Sequence, residues 1–545
     1  MKEKKYILFG KLVDPVNREM LNAKISVEDG KIKEITQIEN QEGRYILPGF
    51  VDSHVHIESS MLTPGEFARL AVRHGTVATL SDPHEIANVC GKEGLRFMIE
   101  DGKKVPLKFH FGVPSCVPAT DFETSGANLN AKIVGELLKS DDYFFLSEIM
   151  NYPGVIRDDE EVWEKIRSAI KVNKPVDGHA PGLTGNGLRK YAGANITTDH
   201  ECATIDEAVE KIRSGIKIQI REGSAAKNFN TLFPLIKQYT EKVMLCTDDC
   251  HPDDLVKGHI NLLVKRGIEK GIDLFDMLTA ACINPVKHYG LNVGMLQIGD
   301  PADFIIVNNL NDFNIVETYI NGEKVYDRGK LLFDYAGSKP INNFKRTEIS
   351  INDLIIDEKR KKIRVIECFE GQLFTNTLVT EPKTGNGQLI ADIEKDILKL
   401  VVISRYNNSK PAIGFIHGFG LKNGALAGSI AHDSHNIIAV GTNDKDILNA
   451  VNSVISKKGG IAVSVKDNTR FLPLEIAGLM SYGDGEKVAA RYAELNNFAQ
   501  SLGSSFRSPF MTLSFMALLV IPELKLCDKG LFDVTSFSPV SLFVD

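Results

Sequence analysis

Between about residues 46 and 248 the chain alternates short apolar runs with longer stretches of helical spacing, and each apolar run ends on a polar or charged residue. The runs lie near Ile46 to Val55, Val77 to Ser81, Leu107 to Val113, Tyr143 to Glu148, Pro175 to His179, Ala194 to His200, Ile216 to Arg221 and Val243 to Asp248. Strands that alternate with helices predict a parallel sheet, and eight of them over about 240 residues predict an α/β fold closed into a (β/α)8 barrel. The first 48 residues differ: apolar and polar positions alternate in short stretches, with turns at Glu28-Asp29-Gly30 and Gln41-Glu42-Gly43. That period reads as β structure. It returns from Gly294 to Val307 and in the hairpin-like Ile320-Asn321-Gly322-Glu323. The expected organisation is therefore a composite β-sandwich domain from residues 1–48 and 291–340, a barrel over 49–290, and a separate α+β domain over 345–545. The last region holds strand-like Ile363 to Cys368 and Leu400 to Ser404 and a helix from Glu486 to Leu502.

The length of 545 residues fits several domains rather than one core. A net charge of -7 argues against general nucleic-acid binding, which needs clustered cations to displace phosphate counterions. The one dense basic run, Lys359-Arg360-Lys361-Lys362 with Arg364, follows Asp357-Glu358 and reads as solvated surface. The N-terminus lacks an apolar stretch long enough for a signal peptide, so a cytoplasmic location is expected. Phe510 to Ile521, the longest apolar run, is interrupted by Thr512 and Ser514 and is too short to span a bilayer; it reads as buried core, and no membrane partner is expected. Eight scattered cysteines without a C-x-x-C pair read as reduced thiols.

Barrel enzymes carry their chemistry where the strands end and the βα loops converge. His54-Val55-His56 closes the first strand, and the period of two sends both imidazoles to one side, where they can grip one cation. An isolated H-x-H is weak evidence, but later strand ends add Glu148, His179, His200 and Asp248. Counting ligands, His54, His56 and Asp248 hold one divalent metal ion, His179 and His200 a second, and Glu148 bridges the pair. Two such ions make hydroxide available from water near neutral pH and polarise the group under attack. Asp248 is then placed to take the proton and pass it on. A competing role for Asp248 is the N-cap of the next helix, since Thr247-Asp248-Asp249 suits a helix start.

The run Leu47-Pro48-Gly49-Phe50-Val51-Asp52-Ser53-His54-Val55-His56 resembles the opening of the amidohydrolases, and its extension Ile57-Glu58-Ser59-Ser60-Met61 resembles the adenine deaminases in particular. Further stretches are similar to that family: Ser81-Asp82-Pro83-His84-Glu85-Ile86-Ala87-Asn88-Val89, Glu148-Ile149-Met150-Asn151-Tyr152-Pro153-Gly154-Val155, Asp177-Gly178-His179-Ala180-Pro181, Thr198-Asp199-His200-Glu201-Cys202, Ile220-Arg221-Glu222-Gly223-Ser224-Ala225 and Cys246-Thr247-Asp248-Asp249. Ser147 stands where the family pattern has glycine. The resemblance spans essentially the whole chain. It implies hydrolysis of adenine to hypoxanthine and ammonia in purine salvage, hydroxide adding to C6, with two divalent metal ions, manganese or iron, and a homo-oligomeric assembly. Ligand type by itself does not choose among manganese, iron and zinc. The zinc base deaminases carry H-x-E and P-C-x-x-C, and this chain has no P-C-x-x-C.

At the second strand end, Asp82-Pro83-His84-Glu85 faces the same mouth. Glu85 is the candidate for proton exchange with a purine ring nitrogen, and His84 for substrate contact. The same four residues also suit a helix start with Asp82 as cap. Arg221 and Glu222 either line the pocket or pair with each other. His251 is a candidate outer partner of Asp248. His110 lies within the third strand without an assigned role, and His74, His259 and His288 read as ordinary surface or core histidines. In the last region, His417 and the run Ala431-His432-Asp433-Ser434-His435-Asn436 fit a lid, an interface, a metal or a hydrogen-bonded turn. The rival activities are a cyclic-amide hydrolase or a deaminase of another heterocycle, and, from another class, a non-catalytic assembly barrel. The first commonly bridges its metals with a modified lysine, where this chain has Leu146-Ser147-Glu148. The last would lack ligands.

Overall fold

A computed structural model describes residues 5–39, 43–359 and 361–544. Gln41 and Glu42 of the expected turn, Arg360 of the basic run and the first four residues lie outside the described residues. Eight parallel strands follow one another around the centre: β1 (Phe50–Val55), β2 (Thr76–Ser81), β3 (Lys108–Val113), β4 (Tyr143–Ile149), β5 (Val176–Gly178), β6 (Thr198–Asp199), β7 (Lys217–Arg221) and β8 (Val243–Cys246). A parallel bridge from Val176 to Ile196 joins β5 to the approach of β6. The ring closes at the mouth, where Val55 bridges Asp248: the Asp248 amide donates to the His54 carbonyl at 2.9 Å, and the His56 amide to the Asp248 carbonyl at 3.1 Å. Closure and candidate chemistry thus occupy the same backbone.

Covered on both faces, these strands read as near-continuous apolar runs, and every residue of β1 is buried. The surrounding helices follow capping and period. Asp159, for instance, caps the helix Glu160–Lys171, which buries Val162, Ile166 and Ala169 at helical spacing.

The apolar run Ile46 to Val55 is two strands rather than one. Tyr45–Pro48 pairs with Phe304–Val307 and with Lys5–Asp14, and β1 begins only after Gly49. A Cβ on Gly49 would lie 2.3 Å from Val77 Cγ1, so the chain passes from flanking sheet to barrel where only glycine fits.

The flanking strands from both chain segments form one continuous eight-stranded sheet, in the order Lys330–Leu331, Glu323–Asp327, Ile315–Ile320, Phe304–Val307, Tyr45–Pro48, Lys5–Asp14, Glu19–Glu28, Lys31–Gln37. The sheet curls over its own core: Tyr6 and Tyr319 sit on strands separated by two others, yet their rings are 6.1 Å apart and the Tyr6 hydroxyl donates to the Gly322 carbonyl at 2.8 Å.

The last region is built on a nine-stranded sheet with the helix Asp444–Ser456 on one face. Its other face, with the helices Gly485–Ser501 and Pro509–Ser514, merges into the barrel's core. Two backbone amides help fix it over the barrel mouth: that of Ser481 donates to the Met61 carbonyl at 2.8 Å, and that of Gly485 to the side-chain Oε2 of Glu66 at 2.9 Å. Among the described residues no helix is long and apolar enough to cross a membrane.

Candidate active site

Five barrel strands deliver buried imidazoles and carboxylates to one point. His54 lies on the last pleat of β1 and His56 just follows the strand, and their Nε2 atoms face each other at 3.2 Å. Asp248, just beyond β8, sets Oδ1 at 3.5 Å from His54 Nε2 and 3.1 Å from His56 Nε2. Glu148 on β4 turns Oε1 to His56 Nε2 at 3.4 Å and Oε2 to His179 Nδ1 at 2.8 Å and His200 Nε2 at 3.3 Å. One carboxylate therefore spans two imidazole clusters. The His56 ring is oriented from behind, its Nδ1–H donating to the Asp82 carbonyl at 3.0 Å and leaving Nε2 as the free donor atom.

These donor sets fit divalent cations. His54, His56 and Asp248 converge within ligand reach of one another, as do His179, His200 and Glu201, with Glu148 completing His54 and His200. Neutral imidazole with carboxylate suits manganese, iron or zinc. The charges are already arranged for cation binding. Burial works to raise the Asp248 carboxyl, but the Arg221 charge and the contacts from His54 and His56 hold it well below the usual carboxylate range. Burial opposes ionisation of Glu148 as well, and His179 and His200 overcome it.

Asp248 does not cap a helix. Its backbone sits in the left-handed region at φ 58°, and the next helix, Pro252–Leu255, has His251 at its N-cap position. Arg221 and Glu222 do not pair with each other: Arg221 turns inward to Asp248 and Glu201, while Glu222 accepts from Arg266 at 2.9 Å. His251 pairs with the Tyr492 hydroxyl at 3.1 Å, and His110 packs against Phe144 at 4.6 Å between ring centres. His259 lies 3.0 Å from Asp52, His288 3.2 Å from Thr197, and His417 3.2 Å from the Lys395 carbonyl.

Pro83, not Asp82, occupies the N-cap position of the helix His84–Gly102, and the Asp82 carboxylate lies 3.3 Å from His84 Nδ1. Glu85 meets Ser59 Oγ at 2.9 Å, and the same hydroxyl lies 2.6 Å from Asp249 Oδ1. A hydroxyl has one proton to give, so both contacts persist when one carboxyl is itself protonated. Burial, with Asp249 adding to it against the pull of His432, raises the Glu85 carboxyl. Neighbouring Glu58 is pushed up to about 8 by burial and then by Glu85.

The cleft over these groups is walled from two regions of the chain. Glu201 and Asp249 line it from the barrel, and Leu373, His432, Asp433, Phe515, Leu518 and Ile521 line it from the C-terminal region. Phe510 to Ile521 is buried as expected, but three of its residues also face the cleft. Glu201 had a signal in its place directly after His200; the C-terminal wall had only its histidines.

The amidohydrolase family model matches residues 45–325, and that of the adenine deaminase C-terminal domain matches residues 372–538. An adenine deaminase of Methanosarcina mazei is 57% identical over 555 residues, covering 99% of this chain and 100% of the relative. One of Salinibacter ruber is 51% identical, covering 99% of each chain. Among solved structures, a β-aspartyl dipeptidase of Fervidobacterium islandicum AW-1 is similar with a TM-score of 0.46 and 16% identity, over 60% of this chain and 98% of that one.

Proposed function

The chain belongs to the amidohydrolase family, among its adenine deaminases, and from that premise we propose that it hydrolyses adenine to hypoxanthine and ammonia with two divalent metal ions, manganese or iron. His54, His56 and Asp248 would hold one ion, His179 and His200 the other, and Glu148 would bridge them. The observation that carries this reading is Glu148, whose two oxygens face opposite imidazole clusters at 3.4 Å and 2.8 Å. When bound, the ions supply Lewis acidity that makes water nucleophilic near neutral pH.

The side chains account for the proton movements. As the water oxygen adds to C6, Asp248 takes one of its protons and protonated Glu85 gives its own to N1. Asp248 then returns a proton to the exocyclic nitrogen, the C6–N bond breaks and ammonia leaves. The proton remaining on the new C6 hydroxyl passes to Glu85 as the carbonyl forms, which resets Glu85. Arg221 holds the far oxygen of Asp248 at 2.6 Å, and His84 stands beside the ring path. Phe515, Leu518 and Ile521 supply an apolar wall for a flat heterocycle.

The test is ammonia release from adenine by manganese-loaded protein, with adenosine, guanine, cytosine and dihydroorotate in parallel and a chelated control. Adenine-selective, chelator-sensitive release is expected. Turnover of another ring in place of adenine would leave the metal centre standing and remove the assignment of Glu85 and His84.

A further inference from the structure

The deamination uses one carboxylate that belongs to neither of the imidazole clusters that Glu148 spans. This is Glu85, whose Oε1 meets Ser59 Oγ at 2.9 Å while Oε2 turns away from it, 3.9 Å from His435 Nε2. His435 sits in the turn between the strands Ala425–Ala431 and Asn436–Gly441 of the C-terminal sheet, and the same turn carries His432. One donor atom each from Glu85, His432 and His435 lies within 4.8 Å of the others.

His435 is fully buried, and both of its ring nitrogens are without a hydrogen-bond partner among the described residues. An imidazole buried in that way gives up its hydrogen bonds to water and gains none in return, which folded proteins rarely leave standing. Burial, with the charge of His432 adding to it, holds His435 well below the ordinary histidine range, so its ring is neutral and has a lone pair to offer. His432 is supported from behind. Its Nδ1 lies 3.4 Å from Asp433 Oδ1, and its ring is stacked on Phe515 with 4.6 Å between centres and 10° between planes. A carboxylate against one ring nitrogen is the arrangement that orients an imidazole toward a cation through the other. Burial opposes a charge on His432, but Asp433 and Glu85 hold it above the ordinary histidine range, so a proton supplies the positive charge that faces Glu85 at rest.

We propose that Glu85, His432 and His435 form a third divalent-cation site, suited to zinc, which takes Glu85 away from the base and so inhibits the deaminase. Two histidines, a carboxylate and a water are a set that zinc adopts, and zinc exceeds manganese in affinity for such donors. Zinc bonds of about 2.0–2.2 Å put tetrahedral donors roughly 3.4 Å apart, so the three groups close in by roughly 0.5–1.5 Å on binding. The entering ion displaces the proton of His432 and that of Glu85 to water. The site stands on its three side chains, and its inhibitory effect rests on the adenine reading, through the task of Glu85 at N1.

The experiment adds zinc to the manganese-loaded protein and measures bound zinc and retained manganese by equilibrium dialysis with elemental analysis, then KM and kcat for adenine over the same zinc range. The wild type is expected to gain one zinc per chain while its manganese stays. Its apparent KM should rise about twofold at the zinc concentration that half-fills the site, with kcat unchanged, because zinc and adenine compete for Glu85. His435→Asn removes the imidazole and suits the left-handed backbone at this position, φ 51°. It is expected to keep the wild-type KM and kcat without zinc, and to lose both the extra zinc and the inhibition. The wild-type stoichiometry needs no variant and decides first: zinc that enters only as manganese leaves would overturn the site. So would an extra zinc that His435→Asn retains. Extra zinc that leaves KM unchanged would take Glu85 out of the ligand set and overturn the inference while the adenine reading stands. A wild type inert on adenine would remove the adenine reading, and the zinc stoichiometry would still decide the site.

Discussion

Arg221 sets a guanidinium nitrogen 2.6 Å from Asp248 Oδ2, so that the other oxygen of Asp248 is the one that faces His54 and His56. The two oxygens of one carboxylate thereby have separate tasks. One is neutralised by a buried cation, and the other is left for the reacting centre.

Replacing Asp248 by asparagine keeps an oxygen in the site but removes the proton acceptor. Asp248→Asn should fold, keep most of its metal and lose roughly 10²- to 10⁴-fold in kcat, the usual worth of a positioned acid or base. Steady-state kinetics with elemental analysis of the same sample check this. Full activity would remove Asp248 from proton transfer.

Glu148 calls for a different expectation, because its oxygens face both imidazole clusters. Glu148→Gln substitutes a neutral, weaker ligand at the shared position, so metal content should fall and turnover with it. Unchanged stoichiometry by elemental analysis would show that the carboxylate bridges nothing.

The fold class was legible because buried parallel strands give unbroken apolar runs, and because each run ends where polar groups collect. The break at Gly49 was hidden by the same fact: both Ile46–Pro48 and β1 are buried and apolar, and only the close approach to Val77 separates them. Strand-end residues such as His54 and Glu148 could be singled out because their place on a barrel dictates which end they share. Glu201 escaped attention because its reach depends on the turn of the backbone after β6. His432 and Asp433 stood out in the sequence as fitting a lid, an interface, a metal or a turn, and the choice among these was not legible because the approach of a distant sheet to the mouth rests on long-range contacts such as Ser481 to Met61, which leave no local pattern.

Lys525 gives a stability prediction with a definite sign. Its ammonium is buried with no carboxylate partner among the described residues, donating to the carbonyls of Leu373 at 2.7 Å and Phe515 at 3.1 Å, and burial pulls its pKa down to about 7. The unfolded chain keeps the proton up to the ordinary lysine range near 10.4, so between about pH 7 and 10 the unfolded state binds more protons. Stability from this group therefore rises with pH over that window, by at most about 1.4 kcal/mol per pH unit, and levels off below about pH 7. Lys525→Met should flatten that slope. Denaturant unfolding at several pH values from 7 to 10 measures it, and an equal slope in both proteins would mean that Lys525 stays charged in the fold.

The passage from flanking sheet to barrel at Gly49 can be tested by a single methyl group. An added Cβ would stand 2.3 Å from Val77 Cγ1 and 2.5 Å from Val77 Cγ2, closer than packed atoms tolerate, and Val77 lies in a buried strand that cannot easily yield. Gly49→Ala should cost about 1–3 kcal/mol, the range for overpacking a core. Because β1 carries His54 and leads into His56, a displacement there should also weaken metal retention, so that chelator removes metal faster from the variant. Val77→Ala removes the clashing methyls and should restore part of the loss when combined with Gly49→Ala. If Gly49→Ala unfolds at the wild-type denaturant concentration, the two strands are not held by this contact.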